Sequence, residues 1–163
     1  MKKYIFSFLV LLMFSNCVGD NASKSKLSSR NLLAYGIPIT VMAPDSAKVE
    51  TMDFKVTKDI SIKDDDGYYV QIFASQATTN RIDEVKASLL DEVQANPYFS
   101  KIVMDEPAGF IYETKVDSTT QNFNFRYIQL KGDKEYIFQT GLIGRFTLEQ
   151  VERMYEAVKP AVE

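Results

Sequence analysis

The segment Tyr68 to Ala74 is apolar on both faces: at strand periodicity Tyr69 and Phe73 fall on one side, Val70 and Ile72 on the other. A strand of this kind must be covered on both faces. Two segments carry the helical period that such covers need. Over residues 80 to 95, Ile82, Val85, Leu89 and Val93 form one stripe while Asp83, Glu84, Lys86, Asp91 and Glu92 take the opposite side. Asn80 is the expected N-cap there, with Asp83 at N3 and Pro97 as the stop. Near the C-terminus, Thr147 and Gln150 have capping-box spacing, and Leu148, Val151, Met154, Tyr155 and Val158 share a face up to Pro160.

The remaining periodicity is that of strands. Ile37, Ile39 and Val41 alternate with Pro38, Thr40 and Met42 ahead of an Ala43-Pro44-Asp45 turn. Phe54 with Val56, then Ile60 with Ile62, give two shorter alternating stretches ended by Asp64-Asp65-Asp66-Gly67. Strands are further expected at Lys101 to Asp105, Phe110 to Val116, Asn122 to Leu130 and Lys134 to Leu142, with Gly132-Asp133 as a hairpin turn. The expectation is an α+β domain: an α/β/α sandwich with a mostly antiparallel sheet of about six strands between two helices.

Composition removes whole classes of chemistry. The chain has no His and no Trp, so His-based triads, His-containing zinc sites and imidazole acid/base catalysis are excluded. Its single cysteine, Cys17, cannot form an internal disulfide. Acidic residues number 22 against 19 basic ones, without the clustered cations that grip a phosphate backbone, so no nucleic-acid partner is expected. A chain of 163 residues buries enough surface to fold as one domain without covalent staples.

Lys2 and Lys3 precede an apolar run from Tyr4 to Phe14 interrupted only by Ser7, too short for a bilayer span of ~20 residues. With Phe14-Ser15-Asn16-Cys17 after it, this start resembles a lipoprotein signal peptide, whose cysteine receives a diacylglyceryl thioether. The resemblance implies removal of residues 1–16 and attachment to the membrane through lipid on Cys17. Two or more acyl chains would make that attachment stable. Val18 in place of Asp after the cysteine implies, in that class, sorting to the outer membrane of a Gram-negative envelope. Residues 17–35, rich in Ser, Asn and Lys and without period, read as the lipidated cysteine and a flexible tether, leaving 36–163 as the folded domain.

Among candidate sites, Asp64-Asp65-Asp66 lacks the ligand spacing of a calcium loop and reads as a solvated turn with Gly67 at positive φ, so no metal and no cofactor is expected. Glu113, Lys115, Arg126 and Glu135 read as a charged face on neighbouring strands, opposite the aromatic row Phe123, Phe125 and Tyr127. Glu113 and Glu135 are the carboxylate pair that glycosidase-like acid/base work would require. No phosphate loop, nucleophile elbow or dinucleotide turn accompanies them, and no catalytic residue is expected.

The order of elements, with Ile37-Pro-Ile-Thr-Val-Met-Ala-Pro early, Gly109-Phe-Ile-Tyr-Glu in the middle and Phe146-Thr-Leu-Glu-Gln-Val-Glu-Arg-Met-Tyr near the end, resembles the Mog1/PsbP-like family over residues 36 to 160. That family includes a Ran-binding protein, a photosystem extrinsic subunit and bacterial envelope lipoproteins. The resemblance implies an antiparallel sheet between helices and a non-catalytic binding or assembly role. The expected function is therefore that of a lipid-anchored envelope accessory that binds a protein partner. The alternative is a small-ligand carrier or carboxylate-dependent hydrolase in the envelope.

Overall fold

Alternating apolar residues dominate the chain after Ser25, and they fold as a mixed α+β domain. The computed structural model describes residues 25–117 and 120–160, so the leader and Cys17 lie outside the described residues. In chain order the elements are β1 (Leu27–Asn31), a 3₁₀ turn (Leu33–Tyr35), β2 (Thr40–Pro44), β3 (Lys48–Asp53), β4 (Thr57–Lys63) and β5 (Tyr69–Gln76). Helix α1 (Ile82–Gln94), strands β6 (Phe99–Glu106), β7 (Gly109–Lys115), β8 (Gln121–Lys131) and β9 (Lys134–Thr140), and helix α2 (Leu148–Val158) complete it. Strands β3 to β9 form one antiparallel seven-stranded sheet in the order β3-β4-β5-β9-β8-β7-β6, and β1 and β2 pair separately. The expected count of about six strands is thus too low.

Packing follows the two-residue period. On β7, Ile111 joins the main core with Phe125, Tyr127, Phe138 and the α2 residues Val151, Met154, Tyr155 and Val158. Its neighbours Phe110 and Tyr112 join a smaller cluster with Val93, Leu89 and Leu90 of α1. Tyr155 meets Phe125 and Tyr127 edge-on at ring centroids 5.8 and 5.6 Å apart. Ile37, Ile39, Val41 and Ala43 close the α2 side of the core. The capping box on α2 forms as expected: Gln150 N donates to Thr147 Oγ1 at 3.3 Å and Thr147 N to Gln150 Oε1 at 2.9 Å.

Residues 27–35 are not tether. Ser28, Ser29 and Arg30 look like linker because β1 belongs to a two-stranded sheet and needs no apolar alternation, yet it pairs with β2 from Leu27↔Pro44 to Asn31↔Thr40. Leu32 behind it is wholly buried, and the Arg30 guanidinium donates to the carbonyls of Ala47, Pro44 and Asp45 at 3.0 to 3.3 Å. The alternation of Phe54 with Val56 is likewise no strand: both side chains stand exposed on the turn between β3 and β4. Strand β9 ends at Thr140, leaving Leu142 in the loop that follows. Helix α1 begins at Ile82 with Arg81 rather than Asn80 at its N-cap, and Arg81 pairs with Asp83 and Glu84 instead of capping.

Strand register defines two ends of the sheet. Thr57, Ser75, Gln76 and Lys134 lie at one end; Lys63, Tyr69 and Thr140 lie at the other, about 20 Å away by the rise of seven strand residues. The described chain enters at the second end, the entry end. There Ser25 Oγ donates to Asp64 Oδ2 at 3.3 Å, and the Arg153 guanidinium donates to the Ser25 carbonyl. Asp64 is buried, accepting from the backbone N–H groups of Asp66 and Tyr68 at 3.0 Å, so only Asp65 and Asp66 of the acidic run are solvated. Gly67 has φ +80°, as that turn requires.

Candidate functional site

At the far end, the β3–β4 turn, residues 36–38 and the β8–β9 turn enclose a cleft of about 360 Å³. Lys55, Lys58, Lys131 and Lys134 line it against two acids, Asp53 and Asp133. Lys58 Nζ lies 3.6 Å from Asp53 and 3.5 Å from the Tyr35 carbonyl, an approach allowed by Gly36, whose Cβ would stand 2.5 Å from Nζ. Lys131 donates to the Pro38 carbonyl at 2.8 Å and Lys134 to Gln76 Oε1 at 3.1 Å. The result is a cationic recess in a chain whose formal net charge is −3. Beside it, Phe54 and Val56 on the β3–β4 turn are 57% and 80% exposed, Val56 lines the cleft, and Lys55 between them holds φ +67°. Two large apolar side chains raised on one turn beside lysines make a surface suited to holding another molecule.

A buried polar row crosses the sheet on the α1 side. Gln71 Nε2 donates to Asp59 Oδ2 at 2.7 Å, and Gln139 Nε2 to Gln71 Oε1 at 3.4 Å. Arg126 stands opposite Gln139 in the register, pairs with Glu92 of α1 at 3.5 Å and lies over the Tyr112 ring at 5.9 Å. Asp59 Oδ1 is buried without a hydrogen-bond partner among the described residues, and Asp59 borders a cavity of about 300 Å³ that Glu50, Thr51, Met52 and Ser61 also line.

The four residues expected to share a charged face do not. Glu113 lies across from Phe123, on the side of Ile111 and α2, where it is 1% exposed and Lys115 reaches its Oε1 at 3.3 Å as an ion pair without donating a hydrogen bond. Lys101 approaches its Oε2 at 3.6 Å. Arg126 and Glu135 face α1, the latter beside Val85 and Leu89, where burial holds its carboxyl above the usual range. Glu113 and Glu135 are therefore not brought together as an acid/base pair. Phe123, Phe125 and Tyr127 are packed in or against the main core.

Sequence reasoning did not pick out the lysine cleft. Its lysines come as two i, i+3 pairs on different hairpins, and only the register that brings Thr57 to Ser75 and Gln76 to Lys134 joins them. Among the described residues no cluster is placed to hold a metal ion, and no helix is long and apolar enough to cross a membrane. Comparison with family models, curated proteins and solved structures finds no match to this chain.

Proposed function

We propose that this chain is a lipid-anchored protein of a Gram-negative cell envelope, held in the outer membrane through Cys17, whose domain binds a partner protein and performs no chemistry. The reading includes a Mog1/PsbP-like arrangement with the sheet sandwiched between α1 and α2. The alternation of Phe110 and Tyr112 toward the α1 cluster with Ile111 toward the α2 cluster supports that arrangement. The observation that carries the binding role is the exposed Phe54 and Val56 on the turn beside a cleft of four lysines: an apolar anchor with a cationic rim suits an acidic protein surface.

Two experiments test this reading. Cys17→Ser leaves the protein in the soluble fraction or as an unprocessed precursor; a correctly cleaved variant that stays in membranes defeats the anchor. A photocrosslinker at Val56 in living cells yields a discrete adduct that one at Glu149 does not. The double variant Phe54→Ser, Val56→Ser abolishes that adduct while changing stability by less than about 0.5 kcal/mol, because neither side chain is buried. Identical adducts from both sites, or none from Val56, defeat the binding role.

Asp59 supports one rival. A small-ligand carrier or hydrolase working from the cavity beside its unpartnered oxygen would lose ligand binding or turnover in Asp59→Asn and keep the Val56 environment unchanged.

A further inference from the structure

Within the loop that follows β9, Leu142 and Ile143 are 74% and 82% exposed. Both feet of this loop are fastened. Gly141 N donates to the Tyr69 carbonyl at 2.9 Å and packs so closely on the Tyr69 ring that a Cβ would stand 2.2 Å from it. At the other foot Phe146 is buried, its N–H donates to Asn122 Oδ1 at 2.7 Å, and its carbonyl accepts from Phe123 N at 3.1 Å. Two apolar side chains on a braced loop remain in water only at the cost of their hydration.

Their position names what covers them. The loop borders the Asp64–Tyr69 turn, and the same turn holds Ser25, where the described chain begins. Only eight peptide steps separate Cys17 from Ser25, a reach of at most about 28 Å at full extension. We infer that Leu142 and Ile143 form a membrane-contact tip that inserts into the lipid surface beside the anchored chain, orienting the lysine cleft away from the bilayer. The inference rests on the lipid-anchor reading above. Exposed Arg145 two residues on can extend its guanidinium toward lipid phosphates while its stem follows the apolar side chains. Exposed Asp65 and Asp66 lie at the same end and would be repelled by anionic headgroups, so the contact is apolar and gains nothing from added anionic lipid.

The test uses the mature full chain carrying Ile143→Cys, or Leu142→Cys as a second variant, labelled with an environment-sensitive fluorophore. Cys17, closed by its thioether, does not compete for the label. The protein is bound to phosphatidylcholine vesicles that carry an acyl-chain quencher, and a Phe54→Cys chain is treated identically. Blue-shifted emission that the quencher removes at 143 but not at 54, unchanged when anionic lipid is added, is the expected result. Equal, unquenched emission from all labelled sites in a chain that floats with the vesicles overturns the membrane tip and leaves the anchor standing. A chain that does not float, and whose Cys17 takes the label, overturns the anchor and this inference with it.

Discussion

The two ends of the sheet are built differently. At the entry end every segment is tied to another: Ser25 to Asp64 and Arg153, Gly141 to Tyr69, Tyr68 Oη to the Met42 carbonyl at 2.7 Å, and the Tyr69 N–H to Met154 Sδ at 3.2 Å. At the far end the β3–β4 turn stands out in solvent over a cleft whose lysines reach carbonyls and amides one at a time. Tight packing at one end fixes where the described chain enters the domain. Open packing at the other leaves side chains free to meet something else, since they give up little internal contact by doing so. The proposed anchoring at one end and binding at the other would use both.

The largest expected effect lies under the entry end. Met154 is fully buried, and Met154→Ala lowers unfolding free energy by about 2–5 kcal/mol in a urea titration. Leu89, partly buried on α1, loses roughly 1–2 kcal/mol as Leu89→Ala. Equal losses at the two sites would mean that the α1 face is packed as firmly as the α2 face that the entry end is tied to.

Two glycines sharpen it. At Gly141 an added Cβ meets Tyr69 ring atoms at 2.2 to 2.3 Å, so Gly141→Ala costs roughly 2–3 kcal/mol through displaced packing. At Gly132, φ is +61° and a Cβ meets nothing within 4 Å, so Gly132→Ala carries only left-handed backbone strain of about 1 kcal/mol. Melting temperatures of the two variants, measured side by side, check the order; a larger drop at Gly132 reverses it.

What could be read from sequence was what is local. Thr147 and Gln150 are three residues apart, and the capping box forms. Tyr69 to Ala74 carries its two-sided burial in its own composition, and β5 lies between β4 and β9. Strand β1 was illegible because only its partner β2 makes it a strand, and β3 because it is a sheet edge whose one semi-buried residue is Val49. Phe54 and Val56 misled because apolar alternation ordinarily signals burial, whereas here it decorates a turn. The charged face failed on parity: Glu113 pairs with Phe123 while Arg126 pairs with Phe110, and a shift of one residue in register would have put them on the same side. The cleft joins residues nearly eighty positions apart, and no local pattern announces that.

The smallest expected effect is a pH dependence, and it comes from how helix α2 is held at its two termini. Its first turn at the entry end is capped by Thr147; at its last turn Lys159 pairs with Glu106 on β6 at 2.9 Å, and Tyr155 Oη donates to the same carboxylate at 3.1 Å. The Lys159 hydrogen bond, aided by that of Tyr155 and opposed by partial desolvation, holds the Glu106 carboxyl below the usual glutamate range. A carboxyl whose pKa is lower folded than unfolded stabilises the fold above its unfolded value of about 4.3, and that contribution fades as the pH falls through the folded value. The side chain is about a third exposed, so solvent screening keeps its worth under about 1 kcal/mol. Glu106→Gln therefore lowers the urea midpoint slightly at pH 7, and the gap from the unaltered protein closes by pH 3. A gap that persists at pH 3 would mean that Glu106 acts through packing rather than charge, and that the far terminus of α2 is braced as firmly as the capped one.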